Sequence, residues 1–304
     1  MADSRGDVCG DMFTGGAGHH GVGAPFTAMT NARWNAADIV LCGLLLVGAL
    51  WLIQQASGEL SYSWDWRQAL GYVSADGAPG LLLDGVFATI RLLLIAGAMS
   101  LLLGALAAAA LMSPLRSLAV GYVEVLRNMP PLVFMFIFFY FTGTSDFIGG
   151  YLSALEGPWA EVVFGDPRRA GNFVAGALCL AIFEGAFFAE IMRAAVLSVP
   201  VGQWDAARAM GFSRWRAFRL VILPQARQNA AAPLAGQMIL LIKDSAVLSV
   251  ISVPELTFSA QEASSSSRQI FEIWLLAAGF YFILCWPLMR IARRLERRPV
   301  RSGG

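Results

Sequence analysis

The sequence is dominated by apolar runs long enough to cross a lipid bilayer. They cover residues 38–56, 84–112, 130–148, 172–199, 233–253 and 270–289. A transmembrane helix takes about 20 mainly apolar residues, and only 14% of this chain is charged. Because backbone groups inside lipid must be hydrogen-bonded within the segment, such runs fold as helices. We therefore predict an all-α membrane protein with about six transmembrane helices.

The arginine-rich connections predict an orientation. Most arginines fall in residues 114–128, 193–227 and 290–301. With both termini in the cytoplasm, all three segments lie inside, as the positive-inside rule requires. The acidic 149–171 segment and the serine-rich 254–269 segment then lie outside. A five-span alternative omits 38–56 and places only the N-terminus outside.

The same pattern predicts the domain layout. Residues 1–37 are Gly-rich and aperiodic, typical of a flexible cytoplasmic tail. Residues 38–56 would be an extra N-terminal transmembrane helix, and 57–83 an external segment with interfacial aromatic residues. Residues 84–294 form the main transmembrane domain. Residues 295–304 are a basic cytoplasmic tail.

Composition excludes several functions for this chain. Lys243 is the only lysine and lacks the preceding glycines of GxxxxGK[ST], so no phosphate-binding P-loop is present. We expect no cofactor, no metal site and no catalytic residue on this chain, and no nucleic-acid partner. Any ATP would be bound by another polypeptide. The four cysteines form no CxxC pair and are interpreted as small buried hydrophobes: Cys9, Cys42, Cys179 and Cys285.

The connection at residues 201–226 is patterned like two short helices meeting at a corner. Residues 203–210 are good helix formers, and Gly211 is suited to a left-handed turn. Ser213 can cap a second helix, which Pro224 punctuates. An alanine-lined surface beside a glycine suits docking into a partner's groove. An amphipathic hairpin on the membrane surface explains the residues equally well.

The spacing in this connection resembles the EAA loop of importer permeases in the ATP-binding cassette superfamily. That family pattern is EAA, three residues, G, nine residues, then I-x-LP. Here Asp205-Ala206-Ala207 precedes Gly211, and Val221-x-Leu223-Pro224 follows at the family spacing. Asp205 replaces the usual Glu and Val221 the usual Ile. Both replacements keep charge or shape.

Further motifs resemble the branch that imports polar amino acids. Residues 186–193 (AFFAEIMR) are similar to AYxAEIxR, 199–203 to VPxGQ, and 223–226 to LPQA. Residues 241–246 (LIKDSA) are similar to LIKDTS, and 124–132 to ExxRGTPLL. The resemblance runs in one order from about Leu83 to Arg294, so residues 84–294 are interpreted as an importer-type permease domain.

The resemblance implies a set of partners and a surface of this chain on which the ATPase subunits act. Two permease subunits, of the same or different chains, would form an alternating-access path in a bacterial inner membrane. Cytoplasmic ATPase subunits would use ATP and Mg, and an external amino-acid-binding protein would deliver substrate; membrane lipid surrounds the spans. The residues implied for coupling to the ATPase are Asp205, Ala206, Ala207, Arg208, Gly211, Arg214, Leu223 and Pro224.

Four charged residues fall within apolar runs, where each costs about 2.5–3.5 kcal/mol on insertion scales. They are candidates for the translocation path or gate: Glu184, Glu190, Lys243 and Asp244. The alternative is internal ion pairing that holds the bundle together. Glu190 and Arg193 are spaced to pair, whereas Lys243 and Asp244 are neighbours that point in different directions.

Two other classes of function stay open on the residues alone. An ATPase-independent secondary transporter or channel would work without a cytoplasmic docking pair. A membrane receptor or scaffold would use residues 201–226 to recruit a cytoplasmic partner without substrate flux. The motif order favours the importer permease over both.

Overall fold

The computed structural model describes residues 62–75, 77–143 and 169–296, with scattered positions between 40 and 51. Helix α1 (Trp66–Gly71) precedes a two-stranded antiparallel hairpin of β1 (Ser74–Ala75) and β2 (Ala78–Pro79). The helices that follow are α2 (Leu81–Leu111), α3 (Arg116–Arg127), α4 (Pro131–Gly143), α5 (Ala170–Leu197), α6 (Val201–Ala209) and α7 (Arg214–Ala217). A π-helical turn (Phe218–Ile222) leads into α8 (Leu223–Ser245), a 3-10 helix (Ala246–Ile251), α9 (Leu256–Ser266) and α10 (Ile270–Glu296).

The chain divides into two units, residues 1–63 and residues 64–304. In the first unit, the described positions between 40 and 51 are helical and exposed. The predicted tail 1–37, most of the predicted span 38–56, the acidic residues of 144–168 and the basic tail from 297 onward lie outside the described residues.

Helices of spanning length confirm the all-α membrane class. In the described ranges, α2, α5, the continuous run Arg214–Ile251 and α10 are each long and apolar enough to cross a bilayer. Helices α3 and α4 pass the same test only as a pair, bent by 112°. The bend falls where Met129 precedes Pro130, because a residue before proline is disfavoured in helical geometry. The described residues thus provide four or five spans, and the predicted number of six is not confirmed.

Two segments predicted as plain connections contain helices. Residues 113–129 include α3, which buries Ala119, Val123 and Leu126 at helical spacing. Its apolar residues cover only one face, so the segment is too polar for a span yet packs as an amphipathic helix. Residues 254–269 include α9, whose first turn is capped by the Glu255 side chain. The helix that contains the apolar run 233–253 begins before that run, since Pro233 lies inside α8.

The core is built around the packing of α2 against α5. Fully buried side chains of the main cluster come from these helices and from α8, among them Leu92, Phe173, Phe188 and Leu241. The aromatic run of α4 joins this cluster, with the Phe134 and Phe183 rings 5.6 Å apart. These aromatic side chains of α4 therefore contribute to core packing.

A buried carboxyl group organises the end of the bundle where α2 and α10 begin. Glu255 is fully buried, and its Oε1 accepts a hydrogen bond from the Phe258 N–H at 2.8 Å. Its Oε2 accepts from the Tyr281 hydroxyl at 2.7 Å. The Leu256 N–H donates to Thr89 Oγ1 at 3.0 Å, which ties α9 to α2. Burial raises the pKa of Glu255 to about 7, although hydrogen bonds from Thr257, Tyr281 and Phe258 lower it.

This raised pKa predicts a pH-dependent stability. Since the pKa rises on folding from 4.5 to about 7, protonation stabilises the folded state fully below pH 4.5, and this contribution disappears as the pH rises through 7. We expect the melting temperature in detergent to be lower at pH 8 than at pH 5.5, corresponding to a loss of roughly 2 kcal/mol of stability. Glu255→Gln should make this shift smaller. Glu262→Gln, a partly exposed carboxylate on α9, should keep it; equal pH profiles for both variants would contradict the assignment.

Candidate functional site

Helices α6 and α7 meet at a glycine corner. Gly211 has φ +77°, the left-handed conformation predicted for this position. The Phe212 N–H donates to the Ala207 carbonyl at 3.1 Å, which closes the end of α6. The Ser213 hydroxyl accepts from the Arg216 N–H at 3.4 Å and caps α7, as expected. We call residues 201–222 the joint.

The predicted coupling residues divide by exposure. Ala207 is fully buried inside the joint, and Leu223 is half-buried. The remaining predicted coupling residues are exposed and free to meet a partner: Asp205, Ala206, Arg208, Gly211, Arg214 and Pro224. Asp205 and Arg208 form an ion pair at 2.7 Å on the surface of α6. Such an exposed pair contributes about 0–1 kcal/mol, so its charges remain available to a partner.

The joint continues without a break into a membrane-spanning helix. Helical backbone extends from Arg214 to Ile251 through the π-helical turn. At this turn the Leu223 N–H donates to the Phe218 carbonyl, five residues back. Pro224 has no N–H to donate, so a regular α-helix would leave a backbone carbonyl unpaired in this turn. The wider π-helical turn beside Pro224 provides backbone hydrogen bonds in its place. Helices α7 and α8 are therefore parts of one continuous helical run.

Apolar packing and amide contacts fasten the joint to the neighbouring spans. Val199, Ile222 and Ala226 form a buried cluster that also receives Trp204 and Phe218. The Asn229 side-chain amide donates to Ser198 Oγ at 2.8 Å, linking α8 to the end of α5. The Gln225 amide donates to Gln203 Oε1 at 3.4 Å, linking α8 to α6. These contacts attach the joint to both α5 and α8.

Two of the predicted path residues meet inside the membrane-spanning region. Glu184 of α5 is fully buried, and its Oε2 accepts a hydrogen bond from Gln237 Nε2 of α8 at 2.7 Å. The Asp244 carboxyl lies close enough to interact with Glu184. The other oxygen, Glu184 Oε1, has no hydrogen-bond partner among the described residues. Gln237 was missed by sequence reasoning, because an amide in a mixed-polarity helix gives no signal before its partner is known.

The other two predicted path residues lie apart from this cluster. Glu190 receives two hydrogen bonds from Arg193, at 2.6 and 3.0 Å, which confirms the predicted pair. Lys243 is exposed and lies near Cys285 of α10, whereas its neighbour Asp244 is half-buried toward Glu184. The predicted divergence of these two side chains is confirmed.

Metal ligation has no candidate in the part of the chain that the structure describes. There, no three His, Cys, Asp or Glu residues lie together as a possible metal site. Cys179 and Cys285 are buried and unpaired with each other, in agreement with their predicted packing role. Cys9 and Cys42 lie outside the described residues.

The joint and the spans that follow it lie within the region that a family model matches. The model of the family described as "Binding-protein-dependent transport system inner membrane component" matches residues 100–301. The chain belongs to this family. It is a transport permease component, as the motifs of the joint predicted.

Curated relatives and solved structures agree with this membership. A probable glutamine ABC transporter permease, GlnM of Bacillus subtilis, is 33% identical over 73% of this chain and 94% of its own length. The glutamine permease GlnP of Escherichia coli is 38% identical over 59% of this chain and 74% of its own length. A crystal structure of an amino acid ABC transporter with histidines matches 78% of this chain and 99% of its own, with 29% identity and a TM-score of 0.62.

Proposed function

We propose that this permease imports polar amino acids across a bacterial inner membrane, with both termini in the cytoplasm. The named glutamine and L-cystine permeases among its relatives support the substrate class. The partners would be cytoplasmic ATPase subunits that bind ATP and Mg, an external amino-acid-binding protein and a second permease subunit. The observation that most supports the proposal is the exposed joint continuous with a span.

The geometry of the joint supports a coupling role. ATP-driven closure of the partner subunits would displace the docked surface formed by α6 and Gly211. Because α7, the π-helical turn and α8 form one helical run, the displacement would tilt α8 and, through Asn229 and Ser198, α5. Such a rigid-body switch between two packings is how alternating access proceeds.

Co-purification tests the proposed function against its rivals. We expect the full chain to co-purify with an ATPase and, in proteoliposomes, to take up a polar amino acid only with ATP inside and binding protein outside. ATP hydrolysis should rise when the binding protein is added. Uptake without an ATPase would indicate a secondary transporter or channel. Partner binding without any flux would indicate a receptor or scaffold.

We propose that Glu184 and Asp244 lie on the translocation path and that Glu190 and Lys243 are gate residues. Glu184 has an amide and a carboxyl as neighbours rather than a cation, whereas Glu190 already has an arginine partner. This difference favours a path role for Glu184 over a purely structural ion pair.

A single isosteric change tests that role. Glu184→Gln keeps the shape and an oxygen acceptor for Gln237 but removes the ionisable group. We expect uptake to fall at least about ten-fold, equivalent to about 1.4 kcal/mol on the rate-limiting barrier, with an unchanged amount of protein in the membrane. Asp84→Asn, an exposed carboxylate at the start of α2, is the control and should transport normally. Full uptake by Glu184→Gln would exclude the path role.

A further inference from the structure

An apolar cavity lies beside the joint, between α2, α5, α7 and α8. Its volume is about 480 Å³, within the range of sites that hold small molecules. Small side chains form much of its wall, including Ala105 and Ala109 of α2, Ala195 of α5 and Ala230 of α8. Ala105 and Ala109 are exposed in the described chain, so the cavity opens to the surroundings of the spans.

The charge at this cavity has one sign. Among the described residues, the charged side chains that line it are Arg193 and Arg227. The charge of Arg193 is balanced by Glu190 at 2.6 Å. Arg227 is exposed, and no ion pair or hydrogen bond of its side chain occurs among the described residues. The cavity therefore combines an apolar interior with one uncompensated cation.

Trp215 adds an aromatic side chain from the joint to the wall of the cavity. This side chain lines the cavity, is 66% exposed and stacks on Phe218 with ring centroids 5.9 Å apart. Tryptophan is enriched at the boundary between lipid headgroups and hydrocarbon, where its ring and N–H are both satisfied. Trp215 and Arg227 thus give the cavity an aromatic ring and a cation beside its alanine-lined wall.

From this arrangement we propose that the cavity binds an anionic phospholipid, with an acyl chain against the alanines and the phosphate at Arg227. Lipid is the amphipathic molecule that surrounds these spans, and basic pockets between spans bind anionic headgroups. A polar substrate would leave its charged groups unpaired against the apolar wall. The site adjoins the π-helical turn, so bound lipid would stabilise the packing of the joint against α2 and α5.

Lipid retention measured by native mass spectrometry tests the proposal. The full chain, with its co-purifying subunits, would be released from detergent after mixing with equal amounts of dioleoyl phosphatidylglycerol and dioleoyl phosphatidylcholine. We expect about five-fold preference for phosphatidylglycerol, since one basic residue near the surface contributes about 1 kcal/mol. Arg227→Ala should bring the two lipids to nearly equal retention. Arg216→Ala, an exposed arginine outside the cavity, should keep the preference.

Two further experiments test the contribution of the acyl chain and that of the headgroup separately. Ala105→Phe fills the cavity from an exposed position and should reduce retention of both lipids, whereas Leu106→Phe, on a different surface of α2, should not. Glycerol phosphate, which has the anion without the chain, should fail to displace bound phosphatidylglycerol. Equal retention of both lipids by the unmodified protein would overturn the proposal. So would a loss of the phosphatidylglycerol preference in Arg216→Ala as large as that in Arg227→Ala, or displacement of the lipid by glycerol phosphate.

Discussion

Gly211→Asp is expected to insert into the membrane normally and to lose almost all transport. The position is exposed, and a Cβ there meets no atom within 4 Å, so the isolated chain has room for the new side chain. Aspartate also adopts the left-handed conformation more readily than most residues. The damage would arise only on docking, where an unpaired carboxylate would be buried against the partner. Uptake in proteoliposomes and the amount of co-purified ATPase measure the two consequences.

Gly211→Asn is the matched control for this experiment. Asparagine has nearly the same shape and conformational preference but no charge. It should therefore retain substantially more uptake and more bound ATPase than the aspartate variant. Equal uptake by Gly211→Asp and the unmodified protein would show that the corner does not dock. Loss of the protein from the membrane would show that Gly211 serves folding instead.

Gly104→Ala is expected to destabilise the bundle strongly. An added Cβ at this position would lie 2.5 Å from the Cβ of Phe188 and 3.1 Å from the backbone nitrogen of Ala189. Both neighbours belong to α5, which cannot yield without separating from α2 along their main contact. Overpacking of this kind costs about 1–3 kcal/mol or more. The melting temperature in detergent and the yield of monodisperse protein should both fall.

Gly236→Ala provides the same substitution without the clash. Gly236 is also inside a helix, and a Cβ added there would meet no atom within 4 Å. Alanine is a better helix former than glycine by up to about 1 kcal/mol, so this variant should be neutral or slightly more stable. Equal melting temperatures for the two variants would mean that α2 and α5 are not closely packed at Gly104.

Sequence reasoning was most successful where short-range physics decides the structure. Apolar runs of spanning length have few alternatives to a helix in lipid, so the membrane class followed from them. The glycine corner and the Ser213 cap depend on the backbone preferences of neighbouring residues. The family followed from linked motifs in the same region, and the family model matches residues 100–301.

Sequence reasoning failed where a helix is stabilised by another part of the fold. Helix α3 is amphipathic, and its apolar face is a packing surface only because α5 lies against it. There the Tyr122 hydroxyl donates to the Ile182 carbonyl at 2.7 Å. Helix α9 depends on Thr89, 167 positions away from Leu256. Proline suggested a break at Pro224, yet the π-helical turn keeps the run continuous because packing against α5 and α6 holds it.

The sequence by itself determined the class of protein, the corner of the joint and the identity of the charged residues in the spans. Only the tertiary structure decided how those charges are arranged. It brings Glu184 to Gln237, 53 positions away, and to Asp244, while leaving Lys243 exposed. Periodicity shows which residues share one helix face, whereas the face that meets another helix depends on crossing angles and side-chain volumes along both. The buried site of the Glu184 carboxyl and the alanine-lined cavity therefore form only when α2, α5 and α8 pack together.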